Sequence, residues 1–370
     1  MLTKGDDYPI HQTPEPIAYS GTDRNFYDRY FFNGYSQDGE LFFAMALGVY
    51  PHLNVMDASF CVVYDGIQHN LHASRILPME RLDTQVGPIG LEVLEPLQCL
   101  RIFCEPTNAS SQNIKADLRF DQRCSPVEEP RFTRRVGSRL MMDVTRMTQN
   151  GCFQGSLELK GKTFDIQPDR FLGTRDRSWG IRPVGERDNQ PNPYAEEPQF
   201  YWLWAPLNFA DYCTFYHLNS DAAGVPWNTS ALMIDSESDS SITMLESHSR
   251  LDFVSGTRHA RNAHIHMTDS KRQDYDIELR PIYNFYMKGL GYGHPTWAHG
   301  RYHGSLETEY EEYDMQRENP SAPENLHVQA LCKATLSGPG IERQGIGVLE
   351  QLIFGKHQPS GFTDILDLAP

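Results

Sequence analysis

One short segment, "GTRDRSWG" at 173–180, brings an acid, two cations and an aromatic ring together. The carboxyl group of Asp176 can form a structural ion pair, bind a ligand or serve as the acid of an enzyme. If the segment is extended, Asp176 shares one face with Thr174 and Ser178, while its arginine neighbours project from the other face. A nearby cation lowers the pKa of a carboxyl group, whereas burial in an apolar cavity raises it. Only the second environment creates a proton donor near neutral pH.

Histidines form a second group of candidate residues. His264 and His266 in "NAHIHM" have the spacing that places two imidazoles on one strand face, where they can ligate a metal. His294, His299 and His303 follow in "GHPTWAHGRYHG". No cysteine or acidic residue stands at a diagnostic spacing, so no metal site is predicted, and metal-dependent hydrolysis through these histidines is kept as a third hypothesis. His294 or His299 is instead a candidate second proton-transfer group beside Asp176.

Aromatic residues are concentrated in "QFYWLWAP" (199–206) and "IYNFYMKGLGYGHPTW" (282–297). In a strand, the two tryptophans of the first segment share a face. Such rings either fill a barrel core or line an apolar ligand cavity. Under the second interpretation, the predicted substrate-binding residues are Trp179, Tyr201, Trp202, Trp204, Tyr283, Phe285 and Trp297. Basic residues do not alternate with them, which argues against stacked nucleic acid.

The elements that must position these residues are almost all strands. Short runs rich in β-branched and aromatic residues end at turn signals, such as Asp65-Gly66 between "ASFCVVY" and "IQHNLHA". Convincing long amphipathic helices are missing, and the best helical stretch is 346–353. Many closely spaced strands in two halves predict an all-β fold of two antiparallel barrels or sandwiches.

The domain boundary is predicted in "GERDNQPNPYAEEPQ" at 185–199, a segment rich in proline, asparagine and charge. The predicted domains are 1–185 and 186–370, and a chain of 370 residues is long enough for both. A second polar loop, 315–325, is expected as a surface insertion between late strands.

Composition narrows the class of partner. The formal net charge is −16, with 33 basic and 49 acidic residues, and this balance disfavours nucleic acid. The longest uncharged stretch contains proline, histidine and asparagine, so no membrane span is predicted. No apolar signal segment opens the chain, and seven cysteines lack a C-x-x-C pair, which together favour a cytoplasmic protein with reduced thiols. The motifs of serine hydrolases (G-x-S-x-G) and zincins (H-E-x-x-H) are absent.

The segment around Asp176 resembles the G-x-x-D-[RH]-x-W-G signature of the carotenoid 1,2-hydratase (hydroxyneurosporene synthase)-like superfamily. That superfamily also contains fungal kievitone-hydratase-like proteins and lipocalin-type pericyclases. Further segments look like a bacterial branch of it, namely "RMTQNGCFQGSLELKGKTFDI", "QFYWLWAP", "GLGYGHPTWAHG" and "GIGVLEQLIFGKH". The resemblance implies two tandem lipocalin-like β-barrel domains with a ligand cavity, and neither a metal nor an organic cofactor.

The resemblance also implies an activity. Hydratases of that superfamily add water to an isoprenoid double bond, with the aspartate of a Tyr-x-Asp pair as the proposed proton donor. Asp176 matches that aspartate, and Thr174 stands at the tyrosine position. The implied function is a cofactor-independent hydratase, dehydratase or isomerase acting on an isoprenoid alkene or tertiary alcohol through a carbocation that aromatic faces stabilise. The alternative is a non-catalytic lipocalin-like binder of a hydrophobic metabolite. Both hypotheses imply a small hydrophobic ligand. Both leave the oligomeric state open, with a homodimer among the options.

Overall fold

The computed structural model describes residues 2–11, 21–187, 190 and 197–370. The strands of the first half are β1 (Phe26–Ser36), β2 (Leu41–Tyr50), β3 (Val55–Tyr64), β4 (Ile67–Ile76), β5 (Gln85–Val86), β6 (Ile89–Glu95), β7 (Cys99–Cys104), β8 (Ile114–Gln122), β9 (Val127–Glu128), β10 (Phe132–Val136), β11 (Arg139–Leu159), β12 (Lys162–Ile166) and β13 (Phe171–Ile181). Those of the second half are β14 (Phe200–Trp204), β15 (Leu207–Phe209), β16 (Tyr212–Ser220), β17 (Pro226–Asp235), β18 (Ser241–Phe253), β19 (Ala260–Asp269), β20 (Asp274–Tyr286), β21 (Leu306–Asp314), β22 (His327–Gly338) and β23 (Ile341–Phe354).

Helical structure within the described residues is limited to short 3-10 turns: Lys4–Asp7, Ala109–Ser111, Met287–Leu290, Pro323–Asn325 and Gln358–Ser360. No helix in these ranges has the length and hydropathy to cross a membrane. The predicted all-β class is confirmed. The predicted hairpin is also present, since Asp65 and Gly66 join β3 to β4 with φ values of 50° and 76°. Both central residues of this turn therefore have the positive φ that a two-residue hairpin of this type requires.

Two compact units make up the chain, Met1–Ala195 with Lys288–Gln316, and Glu196–Met287 with Arg317–Pro370. This division differs from the two continuous domains predicted, because β21 pairs along β4 and so places a late segment in the first unit. Of the predicted boundary loop 185–199, residues 188, 189 and 191–196 lie outside the described residues. The predicted loop at 315–325 does connect β21 to β22.

The first unit is a nearly closed barrel. Its sheet runs in the order β21-β4-β3-β2-β1-β13-β11-β8-β7-β6-β5, and β5 and β6 curl back to approach β3. Alternate residues of each strand face the interior, where an apolar core includes Phe32, Met45, Phe60 and Leu71. The opposite face of β3, β4 and β21 is polar, and this outer face becomes important below.

The second unit is a closed barrel, because β17 pairs with β16 at the end of the order β16-β15-β23-β22-β20-β19-β18-β17. Leu349 and Ile353 of β23 face its core, whereas Glu350 between them faces outward. The helix considered at 346–353 is therefore wrong. Alternation of apolar and polar side chains on two sides of a strand determines the structure of this segment.

Candidate active site on the outer face of the first barrel

The two arginines of the "GTRDRSWG" segment are anchored inside the first barrel. Arg175 pairs with Asp7, and Arg177 pairs with Asp28 at 2.6 Å while its guanidinium lies 3.8 Å from the ring centre of Tyr30. All four side chains of these ion pairs are fully buried. The arginines therefore hold the N-terminal segment and the barrel wall together.

Asp176 projects from the opposite face of β13 and is half-buried, opposite Phe31 and Thr148 in the strand register. Trp179 lies on the arginine side at one end of the barrel. There it stacks on His11, with ring centres 3.6 Å apart, and lines a cavity of about 640 Å³. Among the predicted binding residues, Trp179 is thus placed beside space that can hold a small molecule.

A layer of polar side chains covers the outer face of the neighbouring strands β3, β4 and β21. Antiparallel pairing places Ser59 opposite His72, and it places Asn70 opposite both Cys61 and Glu311. These residues share one face because side chains alternate along each strand, and their neighbours in sequence fill the apolar core. We call this layer the polar face.

Residues 288–305, which we call the covering segment, lie across the polar face. Their backbone is fixed by side chains beneath it: Cys61 Sγ donates to Gly289 O at 3.2 Å, and Ser74 Oγ donates to Arg301 O at 3.1 Å. A side chain at position 289 would collide with the amide groups of Gln68 and Asn70, so only glycine allows this close approach. The polar face is therefore enclosed within the first unit.

Glu311 is the centre of this enclosed layer. Its Oε1 accepts hydrogen bonds from His72 Nε2 at 2.9 Å, from His294 Nε2 at 3.1 Å and from the Tyr313 hydroxyl. Burial alone would raise the pKa of Glu311, but the bonds from His294, His72 and Tyr313 outweigh it and hold that pKa well below its usual range. Glu311 is therefore ionised at neutral pH.

An ionised carboxylate only accepts hydrogen bonds, and this determines the tautomer of each histidine. The Nε2 atoms of His72 and His294 carry protons. The Nδ1 of His294 accepts from the backbone N–H groups of Thr296 and Trp297, at 3.1 and 2.8 Å. The Nδ1 of His72 instead faces the Ser59 hydroxyl at 3.1 Å. Burial lowers the pKa of His72 more than Glu311 raises it, so His72 is a neutral base.

His72, His294 and Glu311 place one ligand atom each within 4.8 Å of one another, a spacing suited to a metal ion. Metal-bound histidines usually donate their second ring N–H to an acceptor. The Nδ1 of His294 instead accepts from two backbone N–H groups, so the ring proton must be on Nε2. A metal at Nε2 would displace that proton and leave it no other position on the ring. The three residues therefore fit a set of hydrogen bonds and do not fit a metal site.

Asp57 provides a second carboxyl group on the polar face. It accepts hydrogen bonds from the Tyr50 hydroxyl at 3.1 Å and from Gly300 N at 2.7 Å. Burial raises its pKa, and Arg29 and the Gly300 bond offset this only in part. Asp57 pairs with Ser74 in the register, so it is the diagonal neighbour of His72 on the polar face.

His299 has both ring nitrogens engaged. Its Nε2 donates to Leu290 O at 2.9 Å, while Nδ1 faces Arg182 Nη2 at 3.1 Å and Arg29 Nη1 at 3.4 Å. These bonds place it between the covering segment and the barrel wall. The predicted proton transfer by His299 stays a prediction, and its geometry is that of an anchoring residue.

The remaining predicted residues are divided between the two units. Trp297 stacks on His72, with ring centres 5.5 Å apart, and so joins His294 at the polar face.

The other predicted aromatic residues lie in the second unit. Trp204 and Phe285 belong to one cross-strand row on the outer face of its barrel, and Trp202 shares that face. Tyr283 lies two residues before Phe285 on β20. Tyr201 lies in the core of the second barrel. His264 and His266 both contact Asp276, at 2.9 and 2.8 Å.

Sequence reasoning did not identify Asp57, Ser59, His72, Asn70 or Glu311. One signal was present in the hairpin already recognised, where polar residues occupy one side of strands whose other side is apolar. Buried polar side chains on two adjacent strands need hydrogen-bond partners from another segment. The partner, Glu311, is distant in sequence, and only the pairing of β21 with β4 reveals it.

Solved structures of other proteins share this fold. CghA with Sch210972 matches with a TM-score of 0.54 and 10% identity, over 94% of this chain and 95% of that one. A protein provisionally assigned as AttH from Nitrosomonas europaea matches with a TM-score of 0.53 and 10% identity, over 93% and 98%. Kievitone hydratase from Nectria haematococca has 13% identity and a TM-score of 0.46, over 88% of each chain.

The likeness to CghA and to the Nitrosomonas europaea protein establishes the fold, two tandem lipocalin-like β-barrels, as the resemblance implied. A search of the curated proteins found no match. One family model covers residues 2–363, which is nearly the whole chain. This chain therefore belongs to the family of unknown function DUF8625.

Proposed function

We propose that this protein is a cofactor-independent acid–base enzyme, a hydro-lyase or isomerase acting on an isoprenoid alkene or tertiary alcohol. The observation that carries the proposal is the pair of carboxyl groups on the polar face. Burial raises the pKa of Asp57, while hydrogen bonds, acting against burial, hold that of Glu311 low. Environments that move two pKa values apart place a protonatable acid and a permanent anion in one site, and here the anion, Glu311, holds His72 as the base.

Hydration needs a proton for one alkene carbon and a base for the attacking water. Asp57 is the proposed donor, and the unprotonated Nδ1 of His72, held by Glu311, is the proposed base. Asp57 and His72 are diagonal neighbours on the polar face, so a substrate bound across them would contact both groups. Trp297 on His72 adds an aromatic face that stabilises developing positive charge. The same groups used in reverse dehydrate a tertiary alcohol.

Two further considerations bear on this proposal. CghA, which shares the fold, was solved with Sch210972, and this supports a small-molecule site in such barrels. Asp176 remains the alternative proton donor because the resemblance assigns it that role. A non-catalytic binder is the second candidate function, and the cavity of about 640 Å³ beside Trp179 favours it.

The test is incubation with acyclic terpene alkenes and tertiary terpene alcohols in ¹⁸O-labelled water, followed by mass spectrometry of the products. We compare the wild type with Asp57→Asn, Asp176→Asn and the exposed control Asp165→Asn. The proposal expects label in the wild type and both other variants, and a loss of at least about 100-fold in Asp57→Asn. Full activity in Asp57→Asn with loss in Asp176→Asn would transfer the donor role to Asp176. Ligand retention without turnover would favour the binder.

A further inference from the structure

Ser59, His72 and Glu311 form a continuous chain of hydrogen bonds. The Ser59 Oγ lies 3.1 Å from His72 Nδ1, and His72 Nε2 lies 2.9 Å from Glu311 Oε1. Because Glu311 is a carboxylate, the imidazole proton is on Nε2, and Nδ1 must accept the proton of the Ser59 hydroxyl. A nucleophile, a base in the correct tautomer and an orienting acid thus occur in sequence.

We propose that Ser59, His72 and Glu311 are a nucleophilic triad that cleaves esters of carboxylic acids, an activity separate from the proposed lyase or isomerase reaction. Triads of this kind are recognised by geometry and roles, and they recur on unrelated folds without a shared sequence motif. The absence of G-x-S-x-G from this chain therefore does not exclude one. Ser59 is 7% exposed and His72 is 1% exposed, so both residues are shielded from bulk water.

Asn70 adds an independent observation. Its side chain is fully buried, and its Nδ2 has no hydrogen-bond partner within the described part of the chain. A buried donor without a partner is unfavourable, so its retention requires an explanation. Asn70 is the diagonal neighbour of Ser59 on the polar face. An ester bound at Ser59 would place its carbonyl oxygen between them, where Nδ2 can stabilise an oxyanion.

The reaction balances with water as the only co-reactant. Ser59 Oγ forms a bond to the carbonyl carbon while its proton passes to His72 Nδ1, and Asn70 Nδ2 donates to the oxyanion. The bond to the alcohol oxygen then breaks, and that oxygen takes the proton from Nδ1. Water repeats the sequence on the acyl-serine, releasing the carboxylic acid and restoring the Ser59 hydroxyl.

The test treats the full chain with a small alkyl fluorophosphonate and identifies the modified residue by peptide mass spectrometry. The proposal expects one phosphonyl group per chain, on Ser59. Labelling should be lost in Ser59→Ala, fall at least about 100-fold in His72→Gln and persist in the exposed variant Asp165→Asn. Ser74→Ala is the matched control, because Ser74 is a buried serine of the same face that bonds to Arg301 O instead of a histidine.

A second readout is hydrolysis of p-nitrophenyl butyrate. Asn70→Ala should lower kcat about 100-fold with little change in KM, as expected when a donor acts only on the oxyanion. Wild-type protein that is folded by circular dichroism but takes no label, or takes it on another residue, would overturn the triad. Because the wild-type map identifies the residue directly, the result does not depend on the folding of any variant. Labelling of Ser59 in wild-type protein that shows no lyase turnover would separate the two proposals.

Discussion

The Nε2–H of His72 donates to Glu311 Oε1 at 2.9 Å, although 239 residues separate the two in sequence. His72 lies on β4 and Glu311 on β21, and these strands pair over their whole common length. The polar face therefore exists only because residues 288–316 belong to the first unit. The same segment supplies His294 and the backbone that encloses the face.

Glu311→Gln should destabilise the first unit. Glutamine keeps the shape but replaces an ionised acceptor of three hydrogen bonds, at a cost of about 1–3 kcal/mol near pH 7. Because folding lowers the pKa of Glu311, its contribution is present above the ordinary value of 4.5 and is lost as the pH falls through the lowered folded pKa. Urea unfolding from pH 7 downward should show the gap to wild type closing at acid pH. A gap independent of pH would contradict the ionised state.

Asp57→Asn should stabilise the first unit, whereas Glu311→Gln should destabilise it. Folding raises the pKa of Asp57, so the folded state favours its protonated form and loses stability as the pH rises through that pKa. Asparagine removes the ionisable group and should increase stability near pH 8 by an amount on the order of 1 kcal/mol. Thermal unfolding at pH 8 measures the gain, and Asp165→Asn is the exposed control. A variant that is less stable than wild type at pH 8 but equal at pH 3 would contradict the raised pKa.

Gly289→Ala should disturb the covering segment without unfolding the barrel. The added methyl group would meet the amides of Gln68 and Asn70, so the segment must move away from the polar face. We expect faster hydrogen exchange in 288–305 and weaker fluorophosphonate labelling or lyase turnover, with core strands unchanged. Gly5→Ala is a suitable control, because its nearest atom would lie at 3.5 Å, an ordinary contact. Unchanged exchange in 288–305 would show that this close approach is not required.

Asp7→Asn should cost far more stability than the loss of a surface ion pair. Asp7 pairs with Arg175 where both side chains are fully buried, and removing one partner leaves a buried charge, typically at about 3–5 kcal/mol. The comparison is Asp121→Asn, which removes a partner of the exposed Arg119 and should cost less than about 1 kcal/mol. Urea unfolding measures both values. Equal costs would indicate that water reaches Arg175.

The sequence was sufficient to predict the strands but not to identify most residues of the candidate site. Alternating patterns and turn residues predicted the all-β class and the Asp65-Gly66 hairpin, because both depend on local conformation. The alternation argument also placed the arginines of the "GTRDRSWG" segment opposite Asp176. The polar side of the β3–β4 hairpin is visible in the sequence, but its completion by Glu311 depends on the long-range pairing of β21 with β4, which no local pattern reveals. Among the candidates, His294 and Trp297 were identified in advance, whereas His72, Glu311 and Asp57 required the structure.

The central claim, that one polar face holds an acid, Asp57, beside a base that the ionised Glu311 orients, is tested most directly by titrating these two carboxyl groups. We would label aspartate and glutamate with ¹³C at the side-chain carboxyl carbon, assign the signals with Asp57→Asn and Glu311→Gln, and follow them by NMR against pH. The account predicts that Asp57 titrates above 3.8 and Glu311 below 4.5, the ordinary values of these groups. Titration of Asp57 at or below 3.8, or of Glu311 at or above 4.5, would contradict it.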